Sequence, residues 1–128
     1  MGCRPRSTSG LVAILVPLFV VGCVDAGSQS VRTVRGGDAA RGVRKIGAYG
    51  CEYCHVIPGI RDATGTVGPP LVEFARRTMI AGEVSNTPEH LVAWIMNPQA
   101  IEQRTAMPNL GVSAPDARDI AAYLYTLR

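Results

Sequence analysis

The run Gly50-Cys51-Glu52-Tyr53-Cys54-His55 constrains this 128-residue chain more than any other feature. Two thiols three positions apart, followed at once by an imidazole, form the attachment pattern of a c-type haem. The thiols add to the two porphyrin vinyl groups as thioethers, and the histidine reaches the iron from the same turn. Three other chemistries use parts of this pattern. A thioredoxin-like dithiol needs a strand–helix–strand context, and no alternating apolar run precedes Cys51. A structural zinc ion needs four ligands, and His90 alone is left to join Cys51, Cys54 and His55, with no second pair at finger spacing. A disulfide across two residues would be strained and would leave His55 without a role.

Composition points the same way. Beyond the N-terminal segment the aromatic residues are Phe74, Trp94, Tyr49, Tyr53, Tyr123 and Tyr125, few large side chains for a core of this size. A porphyrin inside the fold would supply the missing apolar volume. With 47% apolar and 18% charged residues the chain is neither disordered nor a polyanion binder. Its formal charge of +3 is too weak to indicate nucleic acid.

The N-terminal segment reads as an export signal. Arg4 and Arg6 precede an apolar run from Leu11 to Val21, broken only by Pro17, and such a run falls short of the ~20 residues that span a bilayer. Val20-Val21-Gly22-Cys23 resembles a bacterial lipobox, so residues 1–22 are expected to be cleaved and Cys23 to carry lipid. Ordinary cleavage after Val24-Asp25-Ala26 is the alternative, giving a soluble periplasmic protein. Met1-Gly2-Cys3 lacks the Ser or Thr at position 6 that myristoylation needs. Removing the signal leaves 11 basic against 10 acidic side chains. Arg32, Arg35, Arg41, Arg44 and Lys45 crowd the start of the remainder. They could serve a membrane tether or an acidic docking partner, or be solvated charges on and beside a flexible linker, residues 23–36.

Helices separated by Gly- and Pro-rich loops account for the rest. Asp38 caps a helix running to about Tyr49, which tolerates Gly42 at a cost of about 1 kcal/mol relative to Ala. Residues 56–70 carry too much Gly and Pro for anything but loop. Residues 71–82 read as a short helix. Thr87 and Pro88 open another that stops at Asn97, ahead of Pro98. Ser113, with Asp116 at the capping interval, starts the last helix, whose apolar face is Ala117, Ile120, Ala121 and Leu124, with Tyr123 and Leu127 nearby.

A second axial ligand decides between electron transfer and ligand chemistry. Met79 and Met96 fall within expected helices and read as core, whereas Met107, in Arg104-Thr105-Ala106-Met107-Pro108, sits on a loop. A thioether ligand favours Fe(II) and raises the potential. His90 is the rival ligand, read more simply as a surface histidine at a helix start.

Over Gly37 to Arg128 the chain resembles the class I cytochromes c. The order that carries the resemblance is a Gly-containing helix, Cys51-Glu52-Tyr53-Cys54-His55, Gly68-Pro69-Pro70-Leu71, Trp94 with Asn97-Pro98, Thr105-Ala106-Met107, and a closing Ala122-Tyr123-Leu124 helix. The resemblance implies an all-α fold in residues 37–128 wrapped around one covalent haem c. It further implies that the Pro69 carbonyl accepts the Nδ1–H of His55, that Thr105 bonds a haem propionate, and that Trp94 packs beside the Met107 ligand, where Tyr is commoner. It also gives Gly42 a reason: the first and last helices cross there, against Ile120 and Tyr123. The spacing from Gly42 to Cys51 is one residue longer than usual, which leaves open whether Ile46 or Gly47 faces the haem.

A narrower resemblance, from Asn86-Thr87-Pro88-Glu89-His90-Leu91-Val92 through Gly111-Val112, is to small cytochromes and fused cytochrome domains that accompany haem–copper terminal oxidases. It implies a terminal oxidase as electron acceptor and a quinol-oxidising complex as donor. The expectation is therefore an electron carrier rather than an enzyme, exported to the periplasmic side of a bacterial membrane and held there by lipid on Cys23. Neither nucleic acid nor a small-molecule substrate is expected. The alternative function is a haem enzyme or gas-binding protein, peroxidase-like, with an open distal position.

Overall fold

The computed structural model describes residues 32–128. The expected signal segment 1–22, Cys23 and residues 24–31 of the expected linker lie outside the described residues. Helix α1 (Ala39–Ala48) starts at Asp38, whose carboxylate accepts the Arg41 backbone N–H at 2.7 Å, and ends at Tyr49. Helix α2 (Pro88–Met96) has Pro88 in its first turn and Thr87 accepting the His90 N–H at 3.2 Å, and it stops at Asn97. Helix α3 (Ala114–Leu124) is capped by the Ser113 hydroxyl, which accepts from the Asp116 N–H. These caps work because a short polar side chain satisfies a backbone donor that has no partner inside its helix.

Helices α1 and α3 cross at Gly42. A Cβ there would overlap the Asp119 carbonyl oxygen and lie 2.8 Å from its carbon and 3.0 Å from Tyr123 Cβ. Tyr123 is thus where the resemblance puts it, but the second neighbour is the Asp119 backbone, while Ile120 points into the cavity described below. Polar contacts brace the crossing on both sides. Arg41 grips the Asp119 carboxylate through Nε at 2.7 Å and Nη2 at 2.9 Å, and the Asp38 N–H donates to the same group at 2.8 Å. Lys45 and the Tyr49 hydroxyl both reach Asp116, at 2.9 and 2.8 Å. Two of the five basic residues considered for docking, Arg41 and Lys45, are therefore engaged in ion pairs within the chain.

A third, Arg32, donates to the Ala75 carbonyl and lies over the Tyr125 ring, and Val34 is 7% exposed within the core. Within residues 32–36, expected as the end of the flexible linker 23–36, Arg32 and Val34 are thus docked on the domain, while Thr33, Arg35 and Gly36 are exposed. The reason is a single apolar anchor, Val34, and a guanidinium that finds an aromatic face and a carbonyl.

The helix expected over residues 71–82 does not form. One 3-10 turn (Phe74–Arg76) is followed by strand β1 (Met79–Ile80), paired antiparallel with β2 (Val84–Ser85) in the register Met79 with Ser85 and Ile80 with Val84. Between them Ala81 and Gly82 both take positive φ, at +53° and +80°, in a turn closed by the Glu83 N–H on Ile80 O at 2.9 Å. Positive φ at both central residues suits a hairpin turn and is incompatible with a right-handed helix. Buried Asn86 fixes the segment. Its amide donates to Phe74 O and Arg77 O, and its oxygen accepts from the Tyr125 hydroxyl at 2.8 Å. Met79 consequently lies on a strand and is 41% exposed rather than core. The fold is all-α as expected, with this small hairpin added. Among the described residues no helix is long and apolar enough to cross a membrane.

Candidate functional site

The helix crossing, α2 and the connecting loops enclose a cavity of about 490 Å³, within the ~300–1,000 Å³ typical of cofactor pockets. Its wall is almost wholly apolar. Ile46, Ile120 and Leu124 come from α1 and α3, Trp94 and Ile95 from α2, and Thr105, Ala106, Met107 and Pro108 from the loop between α2 and α3. Ile46, 1% exposed, is the α1 residue at the wall, whereas Gly47 faces open space.

Gly50, in the left-handed conformation at φ +71°, ends the α1 region and leads into a 3-10 turn, Cys51–Tyr53. This turn brings Cys51, Cys54 and His55 to the same wall. Both cysteines are free thiols, half-buried. Burial, with the neighbouring Glu52 carboxylate, pushes the Cys51 thiol up to about 11. Nδ1 of His55 lies 2.8 Å from Pro69 O. A carbonyl can only accept, so the ring is assigned a proton on Nδ1 and its lone pair on Nε2. A Cβ on Gly68 would lie 2.7 and 2.8 Å from the two ring nitrogens; only a residue without one lets the imidazole rest there. The Gly68 N–H in turn donates to Cys54 O at 2.8 Å, tying the Gly68-Pro69 loop to the thiol turn.

Trp94 is 8% exposed. Met107 is half-buried, its N–H donating to Thr105 Oγ1 at 3.2 Å and its carbonyl accepting from Gln99 Nε2 at 2.7 Å. All of Cys51, Cys54, His55, Pro69, Trp94, Thr105 and Met107 thus line one cavity. His90 does not: it is exposed, with Nδ1 2.9 Å from Ser85 O. Among the described residues no three His, Cys, Asp or Glu side chains gather into a metal-holding group. A zinc site completed by His90 has no geometric support.

Sequence reasoning missed Arg77. Among the described residues at the cavity it is the one Lys or Arg, its guanidinium donating to Pro70 O and Val72 O and lying over the Phe74 ring. The helix expected for residues 71–82 hid it; an arginine shortly after an apolar Pro-rich loop was the available signal.

No family model matches the chain. Over 80 residues, 61% of the chain, it is 39% identical to cytochrome c oxidase subunit 2 of Alkalihalophilus pseudofirmus. The match covers 22% of that relative's length. Its backbone is similar to that of cytochrome c2 from Rhodobacter capsulatus, with a TM-score of 0.50 and 25% identity, over 69% of this chain and 96% of that one. Fold and site together define a c-type cytochrome. The fold is that of the class I cytochromes c, as the resemblance implied, and the likeness to cytochrome c2 supports an electron-transfer protein and implies a haem c. An apolar cavity of cofactor size, with two free thiols and an imidazole of defined tautomer on its wall, fits that group.

Proposed function

We propose that this cytochrome is a one-electron carrier of a bacterial respiratory chain. Cys51 and Cys54 would hold a single haem c through thioethers, and His55 and Met107 would supply the two ligands to its iron. The observation that carries the reading is the presence of His55 and Met107, from segments 52 residues apart in sequence, at one cavity. When bound, the haem supplies an iron that alternates between Fe(III) and Fe(II). The chain's residues set how it does so. The Pro69 carbonyl orients the His55 ring and makes it a more basic ligand. The Met107 thioether favours the reduced state and raises the potential. The Thr105 hydroxyl, which already accepts from Met107, keeps its own proton to donate to a propionate, and Arg77 adds a positive charge for the same purpose. Trp94 excludes water from beside Met107.

Likeness to an oxidase subunit supports a terminal oxidase as electron acceptor, with a quinol-oxidising complex as donor. Val20-Val21-Gly22-Cys23 supports a lipid anchor at Cys23 on the periplasmic side of the membrane. The axial assignment is tested by Met107→Ala and His90→Ala. Met107→Ala should abolish the deep-red band of thioether-ligated ferric haem, open the iron to CO and lower the potential, while His90→Ala leaves all three unchanged. The reverse pattern would move the assignment to His90. Rapid CO binding by the unmutated protein would favour the haem-enzyme alternative.

A further inference from the structure

We infer that Gln99 is a positioning residue for Met107: its side-chain amide holds the loop in the one arrangement that presents the thioether to the cavity. The inference rests on the reading of Met107 as an axial ligand.

Residues 102–113 contain no helix or strand, so no ladder fixes the backbone that carries Met107. Two side chains do so instead. Thr105 Oγ1 accepts the Met107 N–H at 3.2 Å, and Gln99 Nε2 donates to the Met107 carbonyl at 2.7 Å. With the backbone N–H and the carbonyl on either side of the Met107 Cα both held, the thioether is left chiefly with its own side-chain torsions. Thr105 is held through its own N–H to Glu102 O at 3.1 Å, one link further along the chain, whereas Gln99 ties Met107 directly to the turn that follows α2.

Gln99 has a fixed footing. It sits in a 3-10 turn (Pro98–Ala100) directly after α2, and Pro98 is among the most completely buried side chains of the fold. The turn is closed by Ala100 N–H on Asn97 O and by Ile101 and Glu102 N–H on Pro98 O, at 3.2, 3.1 and 2.9 Å. The half-buried amide therefore reaches from the rigid end of α2 across eight residues to the loop.

The consequence is an equilibrium between a docked loop and one swung away. A small ligand that competes with Met107 binds only the second form, so its apparent affinity scales with the fraction of protein in that form. Losing one hydrogen bond of ordinary net strength should raise that fraction about three- to tenfold.

The test is an imidazole titration of the ferric holoprotein, followed by loss of the deep-red band. Gln99→Met keeps the shape and removes the donor; Gln99→Asn keeps the amide but retracts it by one methylene. Tyr123→Phe is the control for general loosening, because it deletes a hydrogen bond to Pro58 O in which no residue of the 98–113 segment takes part. Both Gln99 variants should retain the band without imidazole and bind imidazole about three- to tenfold more tightly, while Tyr123→Phe binds it as the unmutated protein does. Unchanged affinity in both Gln99 variants, or an equal rise in Tyr123→Phe, overturns the inference. If Met107→Ala keeps the deep-red band, the axial reading and this inference fall together. If it loses the band while the Gln99 variants bind imidazole normally, the inference alone falls.

Discussion

Replacing Gly42 by Ala places a methyl group where α1 meets α3. Carbon atoms normally approach to about 3.5–4.0 Å, and the new Cβ would lie 2.8 Å from the Asp119 carbonyl carbon, with that residue's oxygen closer still. The obstacle is backbone, which cannot rotate away, so the two helices must part by about 1 Å. That separation stretches the Arg41 bonds to Asp119 and the Lys45 bond to Asp116, which start at 2.7–2.9 Å. Overpacking of this kind costs about 1–3 kcal/mol, and an immovable neighbour puts it near the upper end. Ala's better helix propensity offsets about 1 kcal/mol, leaving a net loss of about 2 kcal/mol. Gly47 lies in the same helix with nothing within 4 Å of its would-be Cβ, so Gly47→Ala should stabilise by about 0.5–1 kcal/mol. Guanidinium denaturation of the holoproteins, followed by far-UV circular dichroism, should shift the two midpoints in opposite directions. A neutral or stabilising Gly42→Ala would refute the close-crossing argument.

Acidification tests the same interface electrostatically. Arg41's hydrogen bond holds the Asp119 carboxyl below the usual carboxylate range, with burial opposing and the Asp38 N–H helping. Because the folded value lies below the unfolded one, the stabilisation is complete above about pH 4 and is lost as pH falls through the folded value. Asp119→Asn should thus be less stable than the unmutated protein at neutral pH, with the gap narrowing in denaturation curves below about pH 4; a gap independent of pH would contradict this. Cys23→Ser should release the protein from membranes in fractionation, since diacyl anchoring is stable where a single chain is marginal. An intact mass that begins at Gly27 would contradict lipidation.

What the sequence disclosed follows from how local each determinant is. The Asp38, Thr87 and Ser113 caps are bonds between residues three apart, and the thiol and imidazole of the attachment motif share one turn, so pattern alone places them. Residues 71–82 lie beyond that reach. Their hairpin depends on Asn86 bonding Phe74, Arg77 and Tyr125, and Tyr125 is 39 residues further along the chain. Helix-period reading of that segment misplaced Met79 and concealed Arg77 for the same reason. Arg41 and Lys45 looked like free charges because Asp119 and Asp116, their partners, are more than 70 positions away. Whether Val34 belonged to a linker or a core could be settled only once there was a surface for it to meet.

On the proposed function, Cys51 and Cys54 would each hold the haem covalently in the cavity where both thiols lie. The absorption spectrum of the denatured holoprotein in alkaline pyridine reads this directly, because its position depends on how many vinyl groups remain unsaturated. The expected spectrum is that of a haem with no free vinyl group, retained by the polypeptide. A spectrum with both vinyls intact, from haem that leaves the chain on denaturation, would contradict it.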